Sequence, residues 1–273
     1  GIGCSRLALN QCSNIEVKKY YYSEIDQNCI NLTNKKFSSD IFLGPVEKIN
    51  PKILPKIDLL IGGSPCQDLS NAHKGDGLKG MRSSLFYRFI NLKKFLKPKY
   101  FLLENVKNKW SKVMDKEIGV KGVELNSMFL SGQFRPRVYW TNIDFENIKN
   151  DNKKIVIKDI LEKTKEKKYF FNINVSQINK KISYNKKSGI KKIFLIPRNL
   201  LKDNERQRRV YDLNSKSPTL LARSDTPKIL INNNIRKLTP LECERLQGLP
   251  DNYTANFSNT TRYKMIGNGF TVQ

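Results

Sequence analysis

Two short apolar runs constrain the fold most, because each ends at a reactive side chain. Residues 57–61 (Ile-Asp-Leu-Leu-Ile) lead through Gly-Gly-Ser-Pro to Cys66, and residues 100–103 (Tyr-Phe-Leu-Leu) lead to Glu104. Short apolar runs followed by turn residues are typical of buried parallel strands. In open α/β sheets, ligands bind at the carboxyl ends of the strands. The two runs therefore predict a thiol and a carboxyl group side by side at one edge of a sheet, as in an enzyme.

The rest of residues 1–145 alternates strand and helix patterns. A strand-like segment over 19–23 precedes a helical pattern over 26–32, and an amphipathic helical pattern lies between the two apolar runs. Residues 123–126 and 138–143 are further strand candidates. This rhythm predicts an α/β fold with a doubly wound sheet.

The character of the chain changes after about residue 145. Residues 146–205 are rich in Lys and Asn and hold few long periodic stretches, which predicts small strands and loops in a second, smaller domain. We therefore divide the chain into a first domain over 1–145, a lesser region over 146–235 and a closing segment over 236–273.

The closing segment contains a strong helix start. Thr239 can cap a helix, the proline after it suits the first turn, and Glu242 completes a capping box. The helix should end near Gly248. Residues 219–221 and 228–231 are strand candidates before it.

The charge of the chain favours a polyanionic partner. It has 50 Lys and Arg against 25 Asp and Glu, a formal net charge of +25 and a pI near 9.8. Basic side chains supply most nonspecific affinity for nucleic acids. The abundance of Lys, Asn and Ile is also what an AT-rich genome produces, so charge alone only favours nucleic acid. A mean hydropathy of −0.55, without a long apolar stretch or signal peptide, predicts a soluble cytoplasmic protein.

The cysteines and the single histidine restrict the chemistry. The five cysteines form no C-x-x-C pair, which favours a reducing compartment and argues against structural zinc. A Cys–His hydrolase or a metal site would both need His73, and both are weakly supported. We predict no metal.

In chain order, the motifs resemble those of the DNA cytosine-5 methyltransferases, and the resemblance runs nearly from end to end. Pro65-Cys66-Gln67 matches the family's nucleophile motif and Glu104-Asn105-Val106 its acid motif. The other matches are Gly1-Ile2-Gly3, Ser23-Glu24-Ile25-Asp26, Gln133-Phe134-Arg135-Pro136-Arg137, the segment from Arg236 to Pro250, and Gly267-Asn268-Gly269.

The resemblance implies a Rossmann-like methyltransferase fold and covalent chemistry. Cys66 would attack C6 of cytosine, so that C5 becomes enamine-like and accepts a methyl group. Glu104 would share a proton with the N3 side of the ring. Arg135 and Arg137 lie two residues apart, hence on one side of an extended segment. One of them would reach the base carbonyl oxygen, although ordinary phosphate contacts are the alternative.

The resemblance also implies S-adenosylmethionine as the methyl donor, with Glu24 binding the ribose. A solvated carboxylate at a strand end is the alternative for Glu24 taken alone. Ile25 stands where the family often has an aromatic residue, and Pro45 where it usually has an acid. The expected cofactor-binding residues are Ile2, Gly3, Glu24, Ile25, Val46, Pro65, Leu85, Asn268 and Gly269.

For the DNA, the family pattern implies duplex binding with the target base flipped out. Gln67, Ser70 and Gln133 are the expected DNA-contacting residues, and the glycine-containing segment 68–81 is either a loop that closes on DNA or a plain surface loop. Region 146–235 would hold the target-recognition domain. Its candidates for reading bases are Arg198, Arg206, Arg208, Arg209 and Arg223.

Three further expectations complete the interpretation. The chain opens at Gly1 and stops at Gln273 inside family motifs, so we expect a fragment without a first strand and a last helix. We expect a monomer of prokaryotic or phage origin, with a restriction endonuclease as a functional partner. The rival functions are an RNA cytosine-5 methyltransferase and a noncatalytic DNA-binding relative. The intact Cys66 and Glu104 argue against the latter.

Overall fold

The computed structural model of the chain describes residues 1–63, 84–144, 153–179 and 181–272. The segment that contains the expected nucleophile is not among them. Pro65, Cys66, Gln67, Ser70 and the rest of segment 68–81 therefore lie outside the described residues.

The first elements form a small parallel unit. They are α1 (Cys4–Gln11), β1 (Tyr21–Tyr22), α2 (Gln27–Lys36) and β2 (Ile41–Phe42), and β1 pairs with β2. Helix α2 begins where the sequence predicted, because the Asp26 side chain accepts a hydrogen bond from the backbone N–H of Asn28 at 3.0 Å.

The two apolar runs form neighbouring strands of a four-stranded sheet. The elements of this part are β3 (Leu59–Gly63), α3 (Ser84–Leu96), β4 (Tyr100–Asn105), α4 (Ser111–Ile118), β5 (Val123–Asn126) and β6 (Pro136–Thr141). The strand order is β3-β4-β6-β5; β3 and β4 are parallel, and β6 is antiparallel to both of its neighbours. Strand β4 is longer than predicted, so Glu104 lies within it.

The core of this sheet explains its apolar pattern. Phe86 and Phe89 of α3 pack with Leu103 and Trp140 of the strands in one buried cluster. A Cβ at Gly62 would lie 2.6 Å from Phe89 Cδ2, so only glycine allows α3 to approach β3 this closely.

The lesser region contains the small strands that the sequence predicts. A six-stranded sheet is built from β7 (Phe170–Phe171), β8 (Ser183–Asn185), β9 (Ile190–Leu195), β10 (Arg209–Tyr211), β11 (Lys228–Ile231) and β12 (Asn234–Lys237), in the order β7-β12-β11-β10-β9-β8. The strand predicted over 219–221 is wrong. The backbone N–H of Leu220 there donates to the side chain of Gln133 at 2.8 Å and joins no strand ladder.

The closing segment folds as α5 (Pro240–Leu246) and α6 (Asn259–Asn268). The predicted capping box between Thr239 and Glu242 is present. Leu246 and Ile266 share a buried cluster with Ile2 near the start of the chain. Within the described ranges, no helix is long and apolar enough to cross a membrane.

A buried ion pair attaches α5 to β12. Arg236 donates to both carboxylate oxygens of Glu242, at 2.8 and 2.6 Å, and neither side chain is more than 2% exposed. Glu242 also accepts hydrogen bonds from the backbone N–H groups of Thr239 at 2.8 Å and Glu162 at 3.1 Å. The carboxylate therefore orients three segments at once.

We expect Glu242→Gln to lower the free energy of unfolding by about 3 kcal/mol, because it leaves a buried guanidinium without its counter-charge. Glu205→Gln is the matched control. It breaks an exposed ion pair with Arg209 and should change stability little. Equal losses for the two variants in urea titrations would contradict this assignment.

Candidate active site

Glu104 faces the end of the strand that leads to Cys66. It is the register partner of Gly63, the last described residue of β3. A Cβ at Gly63 would lie 3.6 Å from Glu104 Oε2. The carboxyl group therefore stands directly beside the carboxyl end of β3.

Arg137 holds the other side of this carboxyl group. Its Nε lies 2.8 Å from Glu104 Oε1, and the two side chains are only 14% and 13% exposed. One oxygen of Glu104 is thus occupied by Arg137, while the other lies on the β3 side. The side chain is fixed in orientation but retains an acceptor that can meet a ligand.

Burial sets the protonation behaviour of Glu104. It raises the pKa of this carboxyl group above its ordinary value, and the charges of Arg137 and Arg135 oppose that rise only in part. Tyr139, the cross-strand partner of Glu104, has a pKa of about 12, raised by burial first and by the Glu104 charge second. Glu104 is therefore closer to holding a proton at neutral pH than an ordinary carboxylate, which suits proton exchange with a base.

Arg135 does not share the arrangement of Arg137. It is only 4% exposed, and its guanidinium donates to three backbone carbonyl oxygens: Leu220 at 3.1 Å, Gly267 at 3.0 Å and Gly269 at 3.0 Å. Of the two arginines expected near the base, these contacts favour Arg137 as the one that reaches it. The place of Arg135 is to join β6 to the closing segment.

Gln133 is also a buried connector. Its side chain is fully buried and bonds to the carbonyl of Leu246, to the side chain of Gln247 and to the N–H of Leu220. Since its amide is fully engaged inside the protein, the expected contact of Gln133 with DNA is corrected as well. Gln247 completes the connection through bonds to the carbonyls of Ile266 at 2.7 Å and Gly269 at 3.1 Å.

Sequence reasoning missed Gln247, Tyr139 and Phe270. Gln247 lies one residue before the helix-ending Gly248, where its side chain has no pattern of its own. Tyr139 and Phe270 each follow a matched motif and could have been examined as its neighbours.

Three of the expected cofactor residues, Ile2, Gly3 and Glu24, come together around the start of α1. Gly3 has a left-handed backbone, φ 75°, and a Cβ there would lie 2.7 Å from Phe37, so the turn requires glycine. The amino-terminal nitrogen of Gly1 lies beside the Glu24 carboxylate. Ile2 is buried beneath this turn. Helix N-termini and such turns favour polar or anionic ligand groups.

Glu24 is fixed at the edge of this turn. Its Oε1 accepts hydrogen bonds from the backbone N–H groups of Ile25 at 2.6 Å and Asp26 at 2.9 Å. The side chain of Ile25 beside it is 73% exposed, an open apolar surface on which a flat ring could lie. A carboxylate that can accept from ribose hydroxyl groups, beside an apolar surface for a flat base, suits a nucleoside.

The closing motif lies against the same turn. A Cβ at Gly269 would lie 3.0 Å from Cys4 Sγ, and Lys264 Nζ donates to Asp26 at 2.6 Å. Asn268, which lies between Lys264 and Gly269 in the sequence, is exposed. The first and last matched motifs therefore adjoin in space.

Arg88 attaches Val46 to α3, the helix that also carries Leu85. Arg88 Nε donates to the Val46 carbonyl at 3.0 Å, and Leu85 lies half-buried in the first turn of the same helix. Both residues are thus connected to α3, one directly and one through Arg88.

Internal contacts occupy most of the arginines that were candidates for reading DNA. Arg208 donates to the carbonyls of Ile196 and Asp203, and Arg206 to that of Thr219. Ion pairs engage the other two: Arg209 with Glu205, and Arg223 with Asp225. Arg198 is exposed and, among the described residues, has no such partner; it lines a polar cleft of about 900 Å³ with Asn199 and Lys202.

With this geometry in place, comparison with known proteins decides the family. The model of the C-5 cytosine-specific DNA methylases matches residues 1–128 and 118–273. The chain belongs to this family. The family resemblance inferred from the motifs is confirmed, and with it DNA cytosine-5 methyltransferase activity.

Two relatives illustrate the similarity within the family. The type II methyltransferase M1.ScrFI of Lactococcus lactis subsp. cremoris is 32% identical and M.SsoII of Shigella sonnei 30%. Each match covers 100% of this chain, with 73% of the first relative and 75% of the second.

Solved structures support the fold alone. The methyltransferase EhMeth of Entamoeba histolytica aligns with a TM-score of 0.73 at 16% identity, covering 100% of this chain and 92% of that one. The Dnmt2 methyltransferase of S. pombe aligns with a TM-score of 0.70 at 17% identity, and this match also covers 100% of this chain and 92% of that one. The expected Rossmann-like methyltransferase fold is confirmed.

We expect NMR titration of the Glu104 carboxyl carbon to give a pKa above the ordinary value of about 4.3. Arg137→Gln should raise that pKa further, because burial then acts without the neighbouring cation. Lys107→Gln, which removes an exposed cation paired with Glu124, should leave it unchanged.

The raised pKa also has a stability consequence. The free energy that Glu104 contributes to folding is fully present below the pKa that it has in the unfolded chain and is lost as pH rises through its folded pKa.

A measured pKa of wild-type Glu104 at or below the ordinary value would contradict the account of burial.

Proposed function

We propose that this chain methylates C5 of a cytosine flipped out of duplex DNA, with Cys66 as nucleophile and Glu104 as its acid partner. The observation that carries the proposal is the fixed Glu104 carboxyl group beside Gly63. Cys66 follows Gly63 by three residues in the sequence, a length of chain that reaches at most about 11 Å. One nucleobase can therefore lie within reach of both groups.

The reaction requires a nucleophile because C5 of cytosine is unreactive. Addition of the Cys66 thiolate to C6 forms a C6–S bond and moves electron density to C5. C5 then takes the methyl group, loses its proton to a base, and the C6–S bond breaks as the thiolate leaves.

Glu104 and Arg137 would stabilise this addition. The Oε2 atom of Glu104 would meet the N3 edge of the ring and share a proton with it, which the raised pKa supports. Arg137 would hold Glu104 through Oε1 and direct Nη2 to the base carbonyl oxygen, since its Nη1 donates to the Pro136 carbonyl at 2.8 Å.

S-adenosylmethionine, the donor that family membership implies, supplies an electrophilic methyl group on sulfur when bound. We place it on the glycine turn of Ile2 and Gly3, with Glu24 accepting from the ribose hydroxyl groups and Ile25 covering one face of the adenine. The fit rests on the fixed Glu24 carboxylate beside an exposed apolar side chain. Five further residues would complete the site: Val46, Pro65, Leu85, Asn268 and Gly269.

Residues 146–235 would recognise the DNA sequence, within a catalytic domain formed by 1–145 and 236–273. The cleft lined by Arg198 and Lys202 offers cationic groups for this purpose. Gln67 and Ser70 would contact the DNA beside the flipped base. The type II names of the relatives support a restriction-modification context, in which the protein would act as a monomer beside a restriction endonuclease.

The test is a covalent trap. In DNA that carries 5-fluorocytosine, the fluorine at C5 cannot leave as a proton does, so the enzyme should stay bonded to the base after methyl transfer. We expect mass spectrometry to find the adduct on Cys66 in wild type and none in Cys66→Ser. Cys12→Ser, at an exposed cysteine directly after α1, is the matched control and should still form the adduct.

Parallel assays on unmodified duplex DNA and on tRNA separate the substrates. Methyl transfer confined to tRNA would refute DNA as the substrate. An active wild type without an adduct on Cys66 would refute the covalent mechanism.

A further inference from the structure

Phe270 lies between the two parts of the proposed site, the Glu104 carboxyl group beside β3 and the cofactor turn at the start of α1. A Cβ at Gly63 would lie 3.0 Å from Phe270 Cε1 and 3.1 Å from Cζ, and 3.6 Å from Glu104 Oε2. The aromatic ring and the carboxyl group therefore flank the same point at the end of β3. Since Gly63 has no side chain, the ring can rest directly against the strand backbone.

The backbone at Phe270 lies at the cofactor turn. Gly269, directly before it, lies against the thiol of Cys4, the first residue of α1 after the glycine turn. Arg135 donates to the Gly269 carbonyl at 3.0 Å. Phe270 is thus anchored at the cofactor turn while its ring reaches Glu104.

The ring is the apolar element at this junction. It is partly buried and packs against the main buried cluster, so it is held in place without being fully enclosed. A group of this kind excludes water from the space beside it.

We propose, resting on the proposed function, that Phe270 is a positioning residue whose ring keeps water out of the space between the methyl donor and C5. The activated C5 has two fates. It can take the methyl group, or it can take a proton from water, leaving hydroxide. In the second case C5 then loses its original proton to a base and the Cys66 thiolate leaves, so that cytosine is regenerated with a hydrogen exchanged. The ring favours the first fate.

The experiment measures the ratio of these two fates. The purified protein is incubated with long unmethylated duplex DNA tritiated at C5 of cytosine, together with S-adenosylmethionine labelled in its methyl group. Wild type should release one tritium for each methyl group transferred. Phe270→Ala should raise the ratio of tritium release to methyl transfer by about tenfold, because water then competes for C5. Phe270→Leu, which keeps apolar bulk, should stay near wild type.

The readout separates this role from a merely structural one. Loss of stability lowers both rates together and leaves their ratio unchanged. Phe270→Val serves as the second small variant if Phe270→Ala does not fold. A small variant that methylates slowly at an unchanged ratio would overturn the role of Phe270. A wild type without methyl transfer to DNA would overturn the proposed function instead.

Discussion

The buried guanidinium of Arg135 is the interaction on which the site depends. It satisfies three carbonyl oxygens of Leu220, Gly267 and Gly269, which come from two separate segments of the closing half of the chain. Leaving those groups unpaired would be costly in a buried position. Gly267 tightens the junction, since a Cβ there would lie 2.1 Å from the Leu221 carbonyl oxygen. The strand that carries Arg137 is therefore locked to the motif that closes the cofactor turn.

This arrangement explains why two arginines so close in sequence do different work. The Arg135 guanidinium donates hydrogen bonds to backbone carbonyl groups, whereas that of Arg137 contacts the carboxyl group of Glu104 on the neighbouring strand β4. Two opposing effects act on the pKa of Glu104: desolvation favours its neutral form, and the charges of Arg137 and Arg135 favour its charged form. A group balanced in this way can give and take a proton with little cost, which is what a partner of a cytosine ring needs.

Much of this could be predicted from the sequence. Runs of apolar residues predicted β3 and β4, and a capping box predicted the start of α5. Short-range patterns could not show that Gln133 and Arg135 point inward, because their partners lie more than 80 residues away. For the same reason the strand predicted over 219–221 is wrong: the Leu220 side chain fills the core, but the backbone groups of this segment bond to distant side chains. The role of Phe270 likewise depends on the contact of its ring with Gly63 and of its neighbour Gly269 with Cys4, both far away in sequence.

The central claim is that Cys66 and Glu104 act on one base. A crystal structure of the protein trapped on 5-fluorocytosine DNA tests it most directly. The account predicts a bond from Cys66 Sγ to C6 and Glu104 Oε2 within hydrogen-bonding distance, about 2.6–3.2 Å, of N3 of the same ring, with Oε1 still held by Arg137. A trapped base whose N3 edge faces another side chain, with Glu104 turned away, would contradict it.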